Sequence, residues 1–255
     1  MVGNTKKCRF NFLSSIFIIG QLLLIQNASC ADLNEATSFF DIHYYGYTEP
    51  GVMDEYSRVP SVTIGYQDFE AIRDADGLGS LSGTVELSAG YIRYDGTGLL
   101  DHWYSKFLAE VYTPVGRNFY LGLGYRRLFD DLGPGASTTG ALGYDRLSQY
   151  FYLPLGYVIN FNDGGSFKYQ YNLFIEGSQT SYLTQAGYLN DPENTQSSGY
   201  GLDVSYLPAS GNWEGYVRYW YIDTSDLVAC NTSRTTGLCY EPQNETIEIG
   251  FRVPF

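Results

Sequence analysis

The chain is poor in cysteine, histidine and methionine, and basic residues are scarce beside acidic ones. Its 255 residues include 4 Cys, 2 His and 2 Met, with 15 basic against 28 acidic side chains. The resulting net charge of -13 argues against nucleic acid as a partner, because nucleic-acid binding needs a basic surface. We therefore expect no nucleic-acid partner.

Long apolar runs are missing beyond the first 31 residues, and the mean hydropathy is -0.20. No later segment has the length of a transmembrane helix. This absence does not exclude a membrane protein built from strands. A barrel strand exposes only its alternate residues to lipid, so its average hydropathy stays near neutral.

Motifs of catalysis and cofactor binding are also absent from the sequence. It contains no G-x-S-x-G nucleophile motif, no glycine-rich phosphate loop and no cluster of metal-ligand residues. We therefore predict no catalytic residues, no cofactor and no bound metal, and we expect that the protein is not an enzyme.

The N-terminus has the layout of a secretory signal peptide. Three basic residues precede an apolar run that ends near Ile25, and small residues surround Ala31. We predict a signal peptide at 1–31 and one mature domain at 32–255, whose net charge becomes about -16 after the loss of three basic residues. The alternatives are a membrane-anchoring helix and lipid attachment at Cys30.

Tyr, Phe and Gly are abundant, at 25, 15 and 29 residues, and ten segments alternate apolar with polar side chains. Such alternation predicts strands with two different faces. We place them at roughly 38–47, 61–70, 82–95, 104–114, 118–129, 148–160, 167–178, 198–208, 213–224 and 245–255. Short connections rich in turn residues alternate with long ones, although the segment 72–81 is longer than this pattern predicts. Short turns on one side and long loops on the other are typical of membrane barrels.

The glycines indicate which face of each strand points inward. Residues such as Gly90 and Gly124 share a face with the charged side chains, while Leu, Val and Ile occupy the other. Since a barrel of about ten strands has a narrow lumen, we expect the small and charged residues inside and the apolar face toward lipid. Aromatic residues near strand ends, as at Phe151-Tyr152, Trp103-Tyr104 and Tyr219-Trp220-Tyr221, predict aromatic girdles. The alternative is a soluble barrel with an apolar core.

The last segment, from Asn244 to Phe255, alternates strictly and ends on an aromatic residue. Phe251, Val253 and Phe255 lie on its apolar face. This pattern resembles the closing strand of Gram-negative outer-membrane β-barrels of the porin-like class. The resemblance implies an all-β, closed antiparallel transmembrane barrel in the outer membrane, a meander of ten strands within a range of eight to twelve. It also implies that these three residues are an assembly signal for the barrel-assembly machinery, and that outer-membrane lipid and lipopolysaccharide surround the barrel.

The inferred inward face carries charged residues of both signs. We predict a polar network in the lumen formed by Asp41, His43, Glu86, Lys106, Glu110, Arg126, Lys168, Glu176, Glu214, Arg218 and Arg252. In a narrow barrel opposite charges pair, because unpaired buried charge is costly. The network is interpreted as structural ion pairs that fill the lumen, with a narrow ion-conducting path as the alternative.

An Asp/His site at the rim is the enzymatic alternative. Asp101-His102 is expected in the loop after the third strand, and Asp130-Asp131 and Asp223 at the same rim. Such a cluster could position a water molecule for peptide hydrolysis. Omptin proteases are ten-stranded barrels with a rim site of this kind. None of their motifs matches here residue by residue, so no catalytic role is carried over.

Cys230 and Cys239 are the two cysteines left once a signal peptide is removed. An even pair in an exported chain predicts a disulfide, here in a long loop, and zinc is not expected without nearby histidines. Together these features predict an outer-membrane barrel with long extracellular loops. Its expected role is structural, surface-interacting or that of a narrow pore, with an extracellular ligand of the loops as one option.

Overall fold

The computed structural model describes residues 37–72, 81–115 and 118–255, without the side chains of residues 68–72. The predicted signal peptide at 1–31 and the position of Cys30 lie outside the described residues. Most of the connection after the second predicted strand, at 73–80, lies outside them as well.

The described part of the chain is almost entirely β-structure, as the alternation predicts. Its strands are β1 (Thr37–Glu49), β2 (Met53–Ser57), β3 (Ser61–Ile72), β4 (Leu81–Gly96), β5 (Gly98–Val115), β6 (Phe119–Asp131), β7 (Arg146–Asn160), β8 (Ser166–Ser181), β9 (Glu193–Gln196), β10 (Gly199–Leu207), β11 (Glu214–Ile222), β12 (Val228–Asn231), β13 (Thr236–Cys239) and β14 (Asn244–Pro254). A 3-10 helix spans Leu183–Ala186. Among the described residues, no helix is long and apolar enough to cross a membrane.

The strands close into an antiparallel barrel with ten positions around its wall. β2 and β3 share the position between β1 and β4, and β9 and β10 both pair with β8. From β4 to β8 each strand pairs with the next, and β10 continues through β11 to β14. The barrel closes where β14 pairs with β1, with Phe40 opposite Val253. The prediction of a closed ten-stranded antiparallel meander is confirmed.

The two ends of the barrel differ in their connections. At one end, here called the turn end, β7 and β8 are joined by residues 161–165 and β10 and β11 by residues 208–213. At the opposite end, the loop end, long connections cover residues 132–145, 182–198 and 223–243. The last of these contains the separate hairpin of β12 and β13.

Strand β5 extends further toward the loop end than the sequence predicts, since it begins at Gly98 and the predicted segment begins at 104. β4 and β5 pair up to Gly96 opposite Gly98 and turn tightly there. Asp101 and His102 therefore lie within β5, and the prediction that they occupy a loop is wrong. Two apolar residues, Leu99 and Leu100, are followed by two polar ones at this point, so alternation does not mark the start of the strand.

Exposed apolar side chains form a continuous band around the outside of the barrel. Large residues that a soluble protein would bury are about half exposed, such as Ile64, Leu123, Ile175 and Phe251. Phe251, Val253 and Phe255 all lie on this exposed face. A band of this kind is what a lipid-facing barrel wall requires.

The lumen is filled by large aromatic side chains as well as by charges, which corrects the expectation of a small-residue and polar interior. Tyr152 and Trp220, expected in the aromatic girdles, are instead buried in the lumen. Glycines make room for such rings, because a Cβ on Gly124 would lie 2.3 Å from the Tyr152 ring and one on Gly156 1.7 Å from that of Tyr120. These two rings are therefore each accommodated by a glycine, which has no side chain to occupy the same space.

Glu176 does not face the lumen, and its assignment to the polar network is wrong. The register of β7 and β8 shifts so that Phe151 lies opposite Glu176 while Tyr152 lies opposite Phe174. The extra residue of this bulge turns Ile175 and Glu176 to the exposed face together. The alternation of residues in the sequence does not reveal where a bulge inserts one residue and exchanges the two faces of the strand.

Candidate functional site

A layer of paired charges closes the middle of the lumen. This central polar layer consists of Asp41, His43, Lys106, Arg126 and Glu248, and each of the five is at most 2% exposed. The five residues come from four strands, β1, β5, β6 and β14, whose inward faces meet at this level. Their burial leaves no open channel through this level of the described barrel.

Glu248 is the acidic centre of the central polar layer. Lys106 Nζ donates to its Oε2 atom in a short hydrogen bond. Arg218 Nη1 approaches the same oxygen at 3.4 Å, and Arg126 Nη2 lies 3.7 Å from Oε1. One carboxylate therefore neutralises parts of three cations.

His43 and Asp41 form a second contact within the same layer. His43 Nδ1 lies 2.8 Å from Asp41 Oδ1, and its Nε2 lies 2.9 Å from the Tyr104 hydroxyl. The Tyr216 hydroxyl donates to the other oxygen of Asp41 at 3.1 Å. Both ring nitrogens of His43 are thus engaged, and the pair is buried. This arrangement orients side chains in the lumen and offers no site for a substrate.

On the turn-end side of this layer lies a cavity of about 280 Å³, the turn-end cavity. Glu86, Glu110, Lys168, Glu214, Arg218 and Arg252 of the predicted network all line it. Arg252 Nη2 donates to Glu86 at 2.7 Å, and Arg218 Nη1 donates to the other oxygen of Glu86 at 3.0 Å. The predicted polar network therefore spans two levels, of which one is closed and the other is open.

A third charged group lies on the loop-end side, around Arg146. Its guanidinium donates to Glu55 at 2.6 Å and to Glu49 at 3.1 Å, and lies 3.4 Å from Asp130. His102 Nε2 lies 3.4 Å from the same oxygen of Glu55. The cluster thus contains three carboxyl groups beside one guanidinium and one histidine.

Above this cluster the long connections enclose two adjoining pockets of about 380 and 400 Å³, which together we call the loop-end cavity. Glu241, Tyr144, Tyr240 and Leu142 line both pockets. Glu49, Arg146 and Tyr94 line the first of them. The cavity thus combines two carboxylates, a guanidinium and several tyrosines, a composition typical of ligand sites.

The two carboxyl groups of the loop-end cavity are shifted toward their protonated forms. Burial, followed by the charge of Glu49, raises the pKa of Glu241 to about 7. Burial also raises the pKa of Glu49, although Arg146 opposes this effect. Ser181 Oγ donates a hydrogen bond of 2.8 Å to Glu241 and holds it in place. Paired carboxyls with raised pKa values in a cleft mark a functional-site candidate.

Of the predicted Asp/His rim site, His102 and Asp130 come together in the buried cluster around Arg146, whereas Asp101 does not join them. Asp101 lies on the outer face, where Arg93 binds it with two hydrogen bonds of 2.6 and 2.9 Å. His102 points the opposite way and is 4% exposed, beside Glu55. Adjacent residues of a strand face opposite sides, which is why the sequence pair Asp101-His102 cannot act together.

The residues that line the loop-end cavity were missed by the sequence analysis. Glu49 is the last residue of β1, Arg146 the first of β7, and Glu241 follows β13 in a connection. Their sequence neighbourhoods show no periodic pattern, so only the closure of the barrel brings them together. Within the described ranges, no group of three or more His, Cys, Asp or Glu residues could hold a metal ion.

The closed ten-stranded wall with its exposed apolar band is the fold of outer-membrane β-barrel proteins. No protein-family model matches the chain, and no curated protein matches it. Among solved structures, the chain is similar to the outer membrane protease OmpT from Escherichia coli, with 13% identity and a TM-score of 0.45. The alignment covers 86% of this chain and 96% of that chain.

This similarity corrects one expectation of the sequence analysis. The absence of catalytic motifs led to the expectation that the protein is not an enzyme, but the structure found by comparison is a protease. At 13% identity the likeness concerns the fold and assigns no activity or site residue to this chain.

Proposed function

We propose that the protein is an integral outer-membrane barrel whose loop-end cavity opens to the outside of the cell and binds a ligand that carries a cationic group. The observation that supports this proposal most strongly is the acid-lined loop-end cavity above a closed lumen. The predicted lipid, lipopolysaccharide and assembly-machinery partners belong to the same proposal.

The orientation follows from the asymmetry of the two barrel ends. Outer-membrane barrels have short periplasmic turns and long external loops. The loop end also carries the disulfide between Cys230 and Cys239, whose Cα atoms lie 5.7 Å apart; it fits either side of the outer membrane, since the periplasm and the exterior are both oxidising. We therefore assign the loop end to the cell exterior.

The central polar layer favours binding over conduction. Its charged side chains contact one another directly and are almost completely buried. Passage of an ion would require that these pairs separate, which costs several kcal/mol per uncompensated charge. We therefore propose a site at the outer mouth and not a pore.

The charges around the loop-end cavity favour a cationic ligand. Four carboxyl groups lie around the cavity, but only two basic side chains, Arg146 and His102, are there to pair with them. The four are Glu49, Glu55, Asp130 and Glu241. Tyr94, Tyr144 and Tyr240 add aromatic surface, on which a cation gains further stabilisation. An ammonium group next to Glu241 would supply the missing positive charge.

A pair of small probes tests this binding proposal. Benzylammonium and neutral benzyl alcohol have similar shapes and differ in charge, and saturation-transfer NMR with the purified protein in detergent measures their binding. We expect the ammonium to bind and Glu241→Gln to weaken it by about tenfold, the effect of roughly 1.4 kcal/mol. Glu193→Gln, at an exposed site of the same end, is the matched control. Equal binding of both probes, or an unchanged affinity of Glu241→Gln, would contradict the proposal.

Orientation is tested separately, so that its failure can be distinguished. Ser198 and Ser210 are both exposed and lie at the loop end and the turn end. A membrane-impermeant maleimide should label Ser198→Cys on intact cells and leave Ser210→Cys unlabelled until the outer membrane is opened. The reverse pattern would refute the assignment of the two ends.

A hydrolase that uses the same cavity is the second candidate. The observation that favours it is the presence of Glu49 and Glu241 in one cavity, both with a raised pKa, since a carboxyl group that keeps its proton near neutral pH can serve as a general acid. Arg146, which contacts Glu49, would stabilise negative charge that develops on a substrate.

Hydrolysis is tested with a quenched fluorescent peptide library and the purified barrel. We expect cleavage that Glu241→Gln abolishes and Glu193→Gln preserves. If benzylammonium binds and no peptide is cleaved, the binding proposal is supported and the hydrolase proposal is contradicted.

A further inference from the structure

We propose that the turn-end cavity binds a small zwitterion of the α-amino-acid class, with its carboxylate at Lys168 and its ammonium at Glu110. The cavity lies on the opposite side of the central polar layer from the loop-end cavity. The proposal therefore does not depend on the function of the outer mouth. Only the side from which the ligand enters depends on the orientation of the barrel.

The two arginines of the turn-end cavity are already paired by carboxylates. Arg252 contacts Glu86 at 2.7 Å and Glu214 at 3.6 Å. Arg218 contacts Glu86 at 3.0 Å and Asp203 at 2.8 Å. Each guanidinium charge is thus offset by two carboxylates, so the arginines do not by themselves make an anion site.

Lys168 is different, because neutral groups hold its ammonium. Its Nζ lies 5.1 Å from the centre of the Tyr120 ring and 5.7 Å from that of Tyr112. No carboxylate oxygen of the described residues lies within 4.0 Å of it. An ammonium has three donors, and the side chain borders open space in the cavity.

Glu110 is the counterpart of Lys168 across the cavity. The Tyr152 hydroxyl donates to its Oε1 atom at 2.9 Å, and Gln170 Nε2 donates to the same atom at 2.8 Å. Both donors are neutral and both reach the same oxygen. In the described part of the barrel, no cation forms an ion pair with Glu110.

A chain of neutral groups fixes the separation of these two charges. The Tyr120 hydroxyl, next to Lys168, donates to Gln170 Oε1 at 2.6 Å. Gln170 in turn donates to Glu110. The two charged groups are held by the same bridge without contacting each other directly. Two opposite charges held apart in a narrow lumen are costly unless a ligand contacts both of them.

A zwitterion supplies both missing partners at once. Its carboxylate accepts from the Lys168 ammonium, and its own ammonium donates to the free side of Glu110. The cavity of about 280 Å³ has room for a molecule of several heavy atoms, given roughly 30 Å³ for one water. A simple anion would satisfy Lys168 alone and leave Glu110 without a cation.

Alanine and two of its derivatives test this assignment. Alaninamide lacks the carboxylate and N-acetylalanine lacks the ammonium, while both keep the size of the ligand small. Saturation-transfer NMR with the full-length barrel in detergent should detect the binding of alanine, and a second ligand of the same site should reduce its signal. Each derivative should bind at least about tenfold more weakly, since each loses one charged contact.

Substitutions connect the signal to the two residues. Lys168→Met keeps the length of the side chain and removes its charge, and Glu110→Gln removes the opposite charge. Both should abolish alanine binding, whereas Lys168→Arg should retain part of it. Glu176→Gln, exposed on the same strand as Lys168, is the matched control and should bind as the wild type does.

Three results would overturn the proposal. The absence of an alanine signal at millimolar concentration in a folded sample would show that the cavity does not bind this ligand. Equal binding of alanine and its derivatives would indicate non-specific contact. Unchanged binding by a folded Lys168→Met barrel would place the ligand elsewhere. A shifted band of the unheated protein on a gel establishes folding, and Lys168→Arg provides the test if Lys168→Met does not assemble.

Discussion

The central polar layer and the loop-end cavity are built from the same kinds of side chain but differ in how their charges are balanced. The central layer contains two carboxylates, Asp41 and Glu248, and two cationic side chains, Lys106 and Arg126. Arg218, which also reaches Glu248, is paired by Glu86 and Asp203. In the loop-end cluster one guanidinium, that of Arg146, faces several carboxylates. Balanced and fully enclosed charges act as packing, whereas unbalanced charges beside a cavity leave a role for a ligand.

The largest expected effect comes from Glu248→Ala, which removes the acidic centre of the balanced layer. Lys106, Arg126 and Arg218 then lose a shared partner in a buried site, and breaking such a network costs about 3–5 kcal/mol. We expect loss of the folded band on unheated gels and a lower midpoint of urea unfolding.

Glu176→Ala is the matched control, because that carboxylate is exposed on the outer face of β8. It should leave the unfolding midpoint unchanged. A stable Glu248→Ala barrel would mean that the central layer is hydrated and would remove the contrast with the loop end.

The next effect concerns packing in the lumen, through Gly124→Ala. A Cβ at this position would lie 2.3 Å from the ring of Tyr152, which is fully buried and cannot move aside. Overpacking of this kind costs about 1–3 kcal/mol. We expect a lower unfolding midpoint in urea.

Gly237→Ala serves as the comparison, because the nearest atom to a Cβ there is 3.4 Å away. It should be neutral. Equal stability of the two variants would show that the lumen yields to an added methyl group, contrary to the close packing of rings against glycines.

The wall of the barrel could be predicted from the sequence because its physics is periodic. Every second residue of a strand must face lipid, so apolar residues recur at alternate positions in the strands, from Phe40 in the first to Phe251 in the last. The prediction fails where that constraint ends. At Glu176 one bulged residue reverses the faces, and at His102 the strand continues beyond the apolar band.

The loop-end cavity could not be predicted for a different reason. Glu49, Arg146 and Glu241 are far apart in sequence and meet through closure of the barrel and the course of its connections. No local pattern encodes such a meeting. The lumen charges of Lys106 and Arg218 were accessible to prediction because each sits on a strand whose inward face is set by alternation.

A smaller and pH-dependent effect is expected at Glu241. Burial and Glu49 raise its pKa to about 7 from an ordinary value of 4.5, so the folded state holds the proton more tightly than the unfolded state does. Its contribution to stability is therefore fully present below pH 4.5 and is lost as the pH rises through about 7. Glu241→Gln, which cannot ionise, should remove this part of the pH dependence.

The measurement is urea unfolding of both proteins at pH 5 and pH 8. Relative to the wild type, Glu241→Gln should be more stable at pH 8 than at pH 5. Glu193→Gln, which is exposed, should follow the wild type at both values. Benzylammonium binding should change in the opposite direction and strengthen toward pH 8, since the ionised carboxylate attracts the cation. Parallel pH profiles for Glu241→Gln and the wild type would contradict both expectations.

The smallest effect on the barrel should come from Cys230→Ser. The disulfide with Cys239 closes the hairpin of β12 and β13, which pairs within itself and stands apart from the barrel sheet. Asn190 still ties this hairpin to the neighbouring connection, because its side chain donates to Ala229 O at 2.8 Å and accepts from the Asn231 amide at 2.7 Å. The unfolding midpoint should hardly change. Hydrogen exchange should accelerate at 228–239 and stay unchanged in β14, and a reductant should produce the same pattern in the wild type.

Loss of the folded band in Cys230→Ser would instead make the hairpin part of the folding core, and the division between a rigid barrel and an adaptable loop end would fail.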